Sequence, residues 1–161
     1  MEKWIELLKE DNYIGIKHYL NNGGNANETE ENGESVLCFA LRYRCEEAII
    51  DLLIEHGADI HHTDNEGVSV FDVAVTYNNL KLVERLIRDG FDVNHATRRS
   101  GFTPLMGAVC YGRVEVIRTL LKMGVDVEAR DSHGFSARDF ARKMGKKSIL
   151  ALLQGDRDGT I

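Results

Sequence analysis

Apolar residues recur along the chain at the spacing of helical faces, in short segments that glycines separate. In residues 101–127, one apolar segment follows Thr103, and a second one, rich in leucine and isoleucine, ends before Gly124. Gly112 lies between the two segments, where a turn would separate two helices. The pattern predicts a helix–turn–helix unit that is too small to form a core by itself and must pack against other units.

The same pattern recurs as a tandem repeat. Four glycines begin successive copies, namely Gly33, Gly67, Gly101 and Gly134. Four more follow the second helix of a copy, where a left-handed helix end favours glycine, namely Gly23, Gly57, Gly90 and Gly124. Between the two series, alternating residues predict paired extended arms, and each following helix begins at a hydroxyl residue that can cap it, namely Ser35, Ser69, Thr103 and Ser136. We expect one domain over 1–154, with repeats at about 1–27, 28–61, 62–94, 95–128 and 129–154, and a flexible tail at 155–161.

The first repeat is degenerate. One apolar helix face is predicted from Trp4, Ile5, Leu7 and Leu8, and a second one from Ile14, Ile16, Tyr19 and Leu20. Charged residues interleave with the first face. An end repeat requires such residues, because nothing packs outside it and its outer surface contacts water.

The repeat resembles the ankyrin repeat, a unit of about 33 residues that comprises a turn and two helices and carries a T-P-L-H-x-A signature. Residues 103–108 read Thr-Pro-Leu-Met-Gly-Ala, and looser copies occupy 35–40, 69–74 and 136–141. The resemblance implies an all-α repeat solenoid of about five repeats, curved so that loop tips and inner helices form a concave groove for a protein partner.

All four copies lack the signature histidine, which is replaced by Cys38, Asp72, Met106 and Asp139. In the family this imidazole bonds neighbouring loops to each other. The resemblance therefore implies that this chain has only moderate stability.

Two spacings between glycines depart from the repeat. The interval from Gly33 to Gly57 contains one extra residue, which we place near residues 43–45, between the two helices. The interval from Gly90 to Gly101 also contains one extra residue, within residues 96–100. That insertion lengthens the loop tip that carries two adjacent arginines.

Charge is unevenly divided along the chain. The formal net charge is −6, but residues 1–80 carry 5 basic and 16 acidic residues, whereas residues 81–161 carry 15 basic and 10 acidic ones. Because a solenoid keeps sequence order along its axis, we expect an electrically polar molecule. No apolar run reaches the roughly 18 residues of a membrane helix, and the first residues lack the apolar region of a secretory signal. We therefore expect a cytoplasmic or nuclear protein without membrane contact.

Residue types that are typical of catalysis and metal binding form no recognisable motif. The glycines recur once per repeat instead of forming a phosphate-binding loop, and no HExxH pattern occurs. The three cysteines, Cys38, Cys45 and Cys110, lack CxxC spacing, so we expect buried or half-buried thiols. The best metal candidates are His61, His62 and His95, but neighbouring repeats would lie about 10 Å apart, whereas zinc binds nitrogen at about 2 Å. We expect no enzymatic activity, no cofactor and no metal.

Candidate binding residues align in columns across the repeats. Tyr43, Tyr77 and Tyr111 each lie ten residues after a loop glycine, near the end of an inner helix. Either they contact a partner, as tyrosine does in binding hot spots, or they pack over the turn. A second column directly follows the loop glycines and contains Glu34, Val68, Phe102 and Phe135, and the loop tips add Arg98, Arg99 and His133. We expect an acidic and apolar partner surface to dock around Tyr77, Arg98, Arg99, Phe102, Tyr111 and Phe135.

Three functional classes follow from these features. The first is a monomeric protein-interaction module, which acts as an adaptor or inhibitor. The second is nucleic-acid binding through the basic C-terminal residues Arg138, Arg142, Lys143, Lys146 and Lys147, against which the acidic net charge argues. The third is head-to-tail self-association of the acidic and basic ends.

Overall fold

The computed structural model describes residues 1–155, which form ten α-helices and no strand longer than an isolated bridge. The helices follow one another in pairs: α1 (Glu2–Lys9), α2 (Tyr13–Asn21), α3 (Val36–Arg42), α4 (Glu47–Glu55), α5 (Val70–Thr76), α6 (Leu80–Arg88), α7 (Pro104–Cys110), α8 (Val114–Lys122), α9 (Ala137–Lys143) and α10 (Lys147–Leu153). The predicted all-α repeat solenoid is confirmed. Beyond residue 155, the tail expected to be flexible lies outside the described part of the chain.

The helices group into two compact units. The N-terminal unit is Met1–Tyr77, and the C-terminal unit begins at Asn78. In the N-terminal unit, α3 packs between α1 and α5, and the outer helices α2 and α4 pack on each other and on their inner partners. In the C-terminal unit, α7 packs on α8 and α9, α8 on α6, and α10 on α9. No helix in residues 1–155 is long and apolar enough to cross a membrane.

Each helix pair turns through one residue with a positive φ angle. This residue is Asp11, Arg44, Asn78, Gly112 or Gly145, with φ between 52° and 68°. Four residues separate α3 from α4, whereas three separate the helices of every other pair in the described chain, so the predicted extra residue near 43–45 is confirmed. The longer turn is held by Asp11, whose Oδ1 accepts a hydrogen bond from the amide of Glu46 at 3.0 Å.

The hairpin-like loops form as predicted, with one exception. Isolated antiparallel bridges join Thr29 to Ser35, Thr63 to Ser69 and Arg130 to Ser136, each at the base of a loop. No such bridge closes residues 95–103, the loop that carries the second extra residue. The insertion therefore changes the pairing of the arms as well as the length of the tip.

Three of the four side chains that replace the signature histidine cap their own helices. Asp72 and Asp139 each form a capping box with the serine at the helix start, and the sulfur of Met106 accepts a hydrogen bond from the amide of Thr103 at 3.4 Å. These bonds satisfy amide groups that a helix leaves without internal partners. The substitutions thus supply local capping in place of a bond between loops.

Other residues bond neighbouring loops to each other. A ring nitrogen of His62 donates to the carbonyl of Gly33 at 2.6 Å. Asn27 donates to the carbonyl of Gly57, and Asn94 accepts from the amide of Asp126 at 2.7 Å. The moderate stability inferred from the missing histidine stays a prediction.

One residue predicted to lie on the apolar face of α2 points away from the core. Ile16 is fully buried, as expected, but Ile14 is 79% exposed. Two residues two positions apart on a helix point in directions about 200° apart, so both cannot face the same core. On α1, Trp4, Leu7 and Leu8 are buried, and Ile5 is half-buried.

Candidate protein-binding surface

The three column tyrosines occupy equivalent positions, as their spacing predicts. Tyr43 ends α3, Tyr77 ends α5 and Tyr111 ends α7, each as the residue that caps the helix C-terminus. Each backbone amide donates to the carbonyl four residues earlier, on Phe39, Val73 or Gly107. The repeat thus fixes the backbone of all three tyrosines in the same way.

The three tyrosine side chains differ in burial and in contacts. Tyr43 and Tyr77 are half-buried in the N-terminal unit. The ring of Tyr43 stacks on Phe39 with 6.0 Å between centroids, and the guanidinium of Arg44 lies 5.9 Å from the ring of Tyr77 while it donates to the Tyr77 carbonyl at 3.0 Å. These contacts favour the packing interpretation for both. Tyr111, in the C-terminal unit, is 54% exposed.

A cluster of three phenylalanines forms the apolar part of the candidate surface in the C-terminal unit. Phe140, on α9, lies between Phe102 and Phe135, at centroid distances of 5.5 Å and 5.9 Å. The guanidinium of Arg98 lies 5.0 Å from the ring of Phe102, and Nζ of Lys143 lies 3.9 Å from the ring of Phe135. Two cations therefore lie over ring faces of one aromatic cluster. In this geometry each cation is attracted by the negative face of the aromatic ring.

A shallow pocket of about 550 Å³ lies beside this cluster. It is lined by Arg98, Ser100, Phe102, Cys110, Tyr111 and Met144. The pocket thus brings together three residues predicted from the sequence, namely Arg98, Phe102 and Tyr111. Phe135 joins them through Phe140.

The remaining predicted residues lie elsewhere. Arg99 and His133 are exposed at loop tips and do not line the pocket, and the amide of His133 donates to its loop neighbour Asp131 at 2.9 Å. Tyr43 and Tyr77 belong to the N-terminal unit. Sequence reasoning missed Phe140 and Met144. A signal was present for Met144, which lies ten residues after Gly134, the position that the tyrosines occupy in three other repeats.

Glu34, a member of the second column, is buried instead of facing a partner. Both of its carboxylate oxygens accept from the guanidinium of Arg42, which also lies 4.9 Å from the Phe39 ring. Burial raises the pKa of Glu34, and the charge of Arg42 opposes that shift. This ion pair and His62 line a cavity of about 190 Å³ in the N-terminal unit.

The histidines considered as metal ligands and the cysteines are exposed, half-buried, buried or bonded to a neighbouring loop. His62 bonds a neighbouring loop, and His61 and His95 are exposed. Within residues 1–155, no group of three or more histidine, cysteine or acidic side chains could hold a metal ion. Burial raises the pKa of Cys38 to about 11 and that of Cys45 to about 12, so both thiols stay protonated at neutral pH.

Several residues of the basic C-terminal set form contacts within the unit. Arg138 forms an ion pair with Glu128 and donates to the carbonyl of Leu153 at 2.8 Å. Arg142 pairs with Asp139 at 3.2 Å, and Lys146 donates to the carbonyl of Cys110 at 3.1 Å. These contacts reduce the number of cations that could contact phosphates together.

Comparison with known proteins identifies the repeat. A family model described as ankyrin repeats (3 copies) matches residues 7–97 and 59–131, well over half of the chain. No curated protein is significantly similar to the chain. The matched residues contain the helix pairs and loops described above, from α2 to α8. The chain therefore belongs to the ankyrin repeat family, whose members are typically non-enzymatic modules of protein–protein interaction.

Proposed function

We propose that this chain is a cytoplasmic adaptor or inhibitor that binds a protein or peptide partner through one surface of its C-terminal unit. We call this surface the aromatic–basic face, and it comprises Arg98, Arg99, Phe102, Tyr111, Phe135, Phe140 and Lys143. The observation that carries the proposal is the phenylalanine cluster covered by two cations and bordered by the exposed Tyr111.

The chemistry of this face suits a partner with acidic and apolar groups. Aromatic and arginine side chains are the residues most enriched at the centres of protein interfaces. Lys143 is exposed, and Arg99 projects from the lengthened loop tip beside Arg98. Their positive charges would steer an acidic partner, while the rings and Tyr111 would supply the apolar contact that slows its release.

The test begins with selection of random peptides displayed on phage against the immobilised full chain. We expect the recovered peptides to be enriched in sequences that combine aspartate or glutamate with a large apolar residue. Their binding to the Arg98→Glu/Arg99→Glu variant should associate roughly tenfold more slowly at low salt, because steering is lost. The Phe102→Ala and Tyr111→Ala variants should mainly dissociate faster. Stopped-flow fluorescence separates the two rates.

The matched control reverses two exposed lysines on the outer helices, Lys81 on α6 and Lys122 on α8. The Lys81→Glu/Lys122→Glu variant has the same net charge as the arginine variant, so it should bind with nearly wild-type rates if position matters. If both charge variants lost the same amount of association rate, the effect would come from the net charge of the chain and not from the position of the arginines. Unchanged binding in the arginine, Phe102 and Tyr111 variants would contradict the proposed surface.

A further inference from the structure

The pocket of the C-terminal unit contains apolar side chains that remain open to solvent. Tyr111 and Met144 directly follow the inner helices α7 and α9, and they are 54% and 48% exposed. The large apolar side chains that are 39% or more exposed in residues 1–155 are Tyr13, Ile14, Tyr111, Met123 and Met144, and two of them share this pocket. Exposed apolar groups gathered in one concave place mark an interaction site more than isolated ones do.

The pocket is large enough to receive a side chain of a partner. Its volume of about 550 Å³ lies within the range of about 300–1,000 Å³ that is usual for ligand pockets. Methionine is flexible and polarizable, and it adapts to apolar groups of different shape. Cys110 and Phe102 extend the apolar lining beyond Tyr111 and Met144.

Two cationic side chains lie at the same pocket. Arg98 is part of the lining, and Nζ of Lys146 lies 3.1 Å from the backbone oxygen of Cys110. Burial raises the pKa of the Cys110 thiol, while the charges of Lys146 and Arg98 lower it, so both cations act on the interior of the pocket. A partner group that enters is therefore favoured if an acidic residue accompanies it.

We infer that this pocket receives a large apolar side chain of the partner, such as leucine, methionine or phenylalanine, whose acidic neighbour in the partner sequence contacts Arg98 and Lys146. The inference rests on the proposed function and specifies where the partner is anchored. Phe102, which belongs to the phenylalanine cluster, and Tyr111 both line the pocket that would hold the anchor.

The test uses the peptide that is most enriched in the phage selection. The thiol of Cys110 is half-buried, whereas those of Cys38 and Cys45 are buried, so a thiol-reactive reagent should label Cys110 first in the folded chain. We expect a saturating amount of the peptide to slow this labelling roughly tenfold or more, since an occupied pocket excludes the reagent. The same peptide with serine in place of its apolar residue should not protect Cys110.

A pair of methionine variants provides the second readout. Met144→Ser should weaken peptide binding roughly tenfold, because it removes an apolar wall of the pocket. Met123→Ser is the matched control, because Met123 also directly follows a helix of the C-terminal unit, is 52% exposed and does not line the pocket. The control should bind the peptide with wild-type affinity.

The outcomes separate the anchor from the proposed function. Peptide binding that depends on Arg98 and Phe102 but leaves both Cys110 labelling and the Met144→Ser affinity unchanged would overturn the anchor alone. Failure to recover any peptide that depends on the aromatic–basic face would overturn the proposed function and the anchor together. Cys110 could also be labelled slowly in the absence of peptide, and this slow labelling could disappear when the protein is diluted. That result would assign the pocket to a second copy of the chain and would overturn the anchor.

Discussion

Replacing Ile16 by alanine is expected to lower the free energy of unfolding by about 3 kcal/mol, because it leaves a cavity in a close-packed core. Ile16 is fully buried on α2, which packs on α1 and on α4. Loss of its side chain would therefore weaken the attachment of the first helix pair to the next one. Urea unfolding, followed by circular dichroism, measures the change.

The same substitution at Ile14 provides a control on the same helix. Ile14 is 79% exposed, so Ile14→Ala should change the free energy of unfolding by no more than about 0.5 kcal/mol. Alanine also favours helix more than isoleucine does, which offsets part of any loss of contacts at this position. Similar destabilisation by the two variants would mean that α2 faces its neighbours differently from the described packing.

Replacing Gly33 by alanine is expected to cost about 3 kcal/mol of stability. Gly33 has φ of +85°, and a Cβ atom there would lie 2.7 Å from Oδ1 and 2.9 Å from the amide nitrogen of Asn65. That amide donates to the carbonyl of Asn32, and His62 donates to the carbonyl of Gly33 itself. The added methyl group must therefore disturb the bonds between two neighbouring loops, in addition to straining the backbone.

Gly57→Ala separates these two costs. Gly57 has φ of +89°, but a Cβ atom there would meet nothing within 4 Å. Alanine at this position should cost only the backbone strain, about 1–2 kcal/mol. Thermal unfolding of the two variants compares them directly, and an equal loss would show that the contact between the loops adds nothing to stability.

The periodic features of the fold could be predicted from the sequence. Glycines and hydroxyl residues mark the ends of short helices through backbone chemistry that is local, so the helix pairs, the C-cap tyrosines and the extra residue before α4 were predictable. Alignment of the loop glycines also predicted that Arg98 and Phe102 lie in the enlarged loop. All these predictions required only that the repeats be aligned with one another.

The direction of a side chain depends on contacts between repeats, and aligning the repeats does not reveal those contacts. Ile14 belongs to a helical pattern but points away from the core, and Glu34 occupies a column position but is held inside by Arg42. Phe140 lies between two phenylalanines that come from different loops. The pocket beside Cys110 combines residues from one loop and from the ends of two helices, and no single repeat contains them all.

The most direct test of the central claim is nuclear magnetic resonance mapping of the isotope-labelled full chain, titrated with the most enriched phage-selected peptide. If the aromatic–basic face is the contact surface, the largest changes in amide chemical shift will fall within residues 98–111 and 133–146. Changes confined to the N-terminal unit, or to the outer helices α6, α8 and α10, would contradict the proposed function.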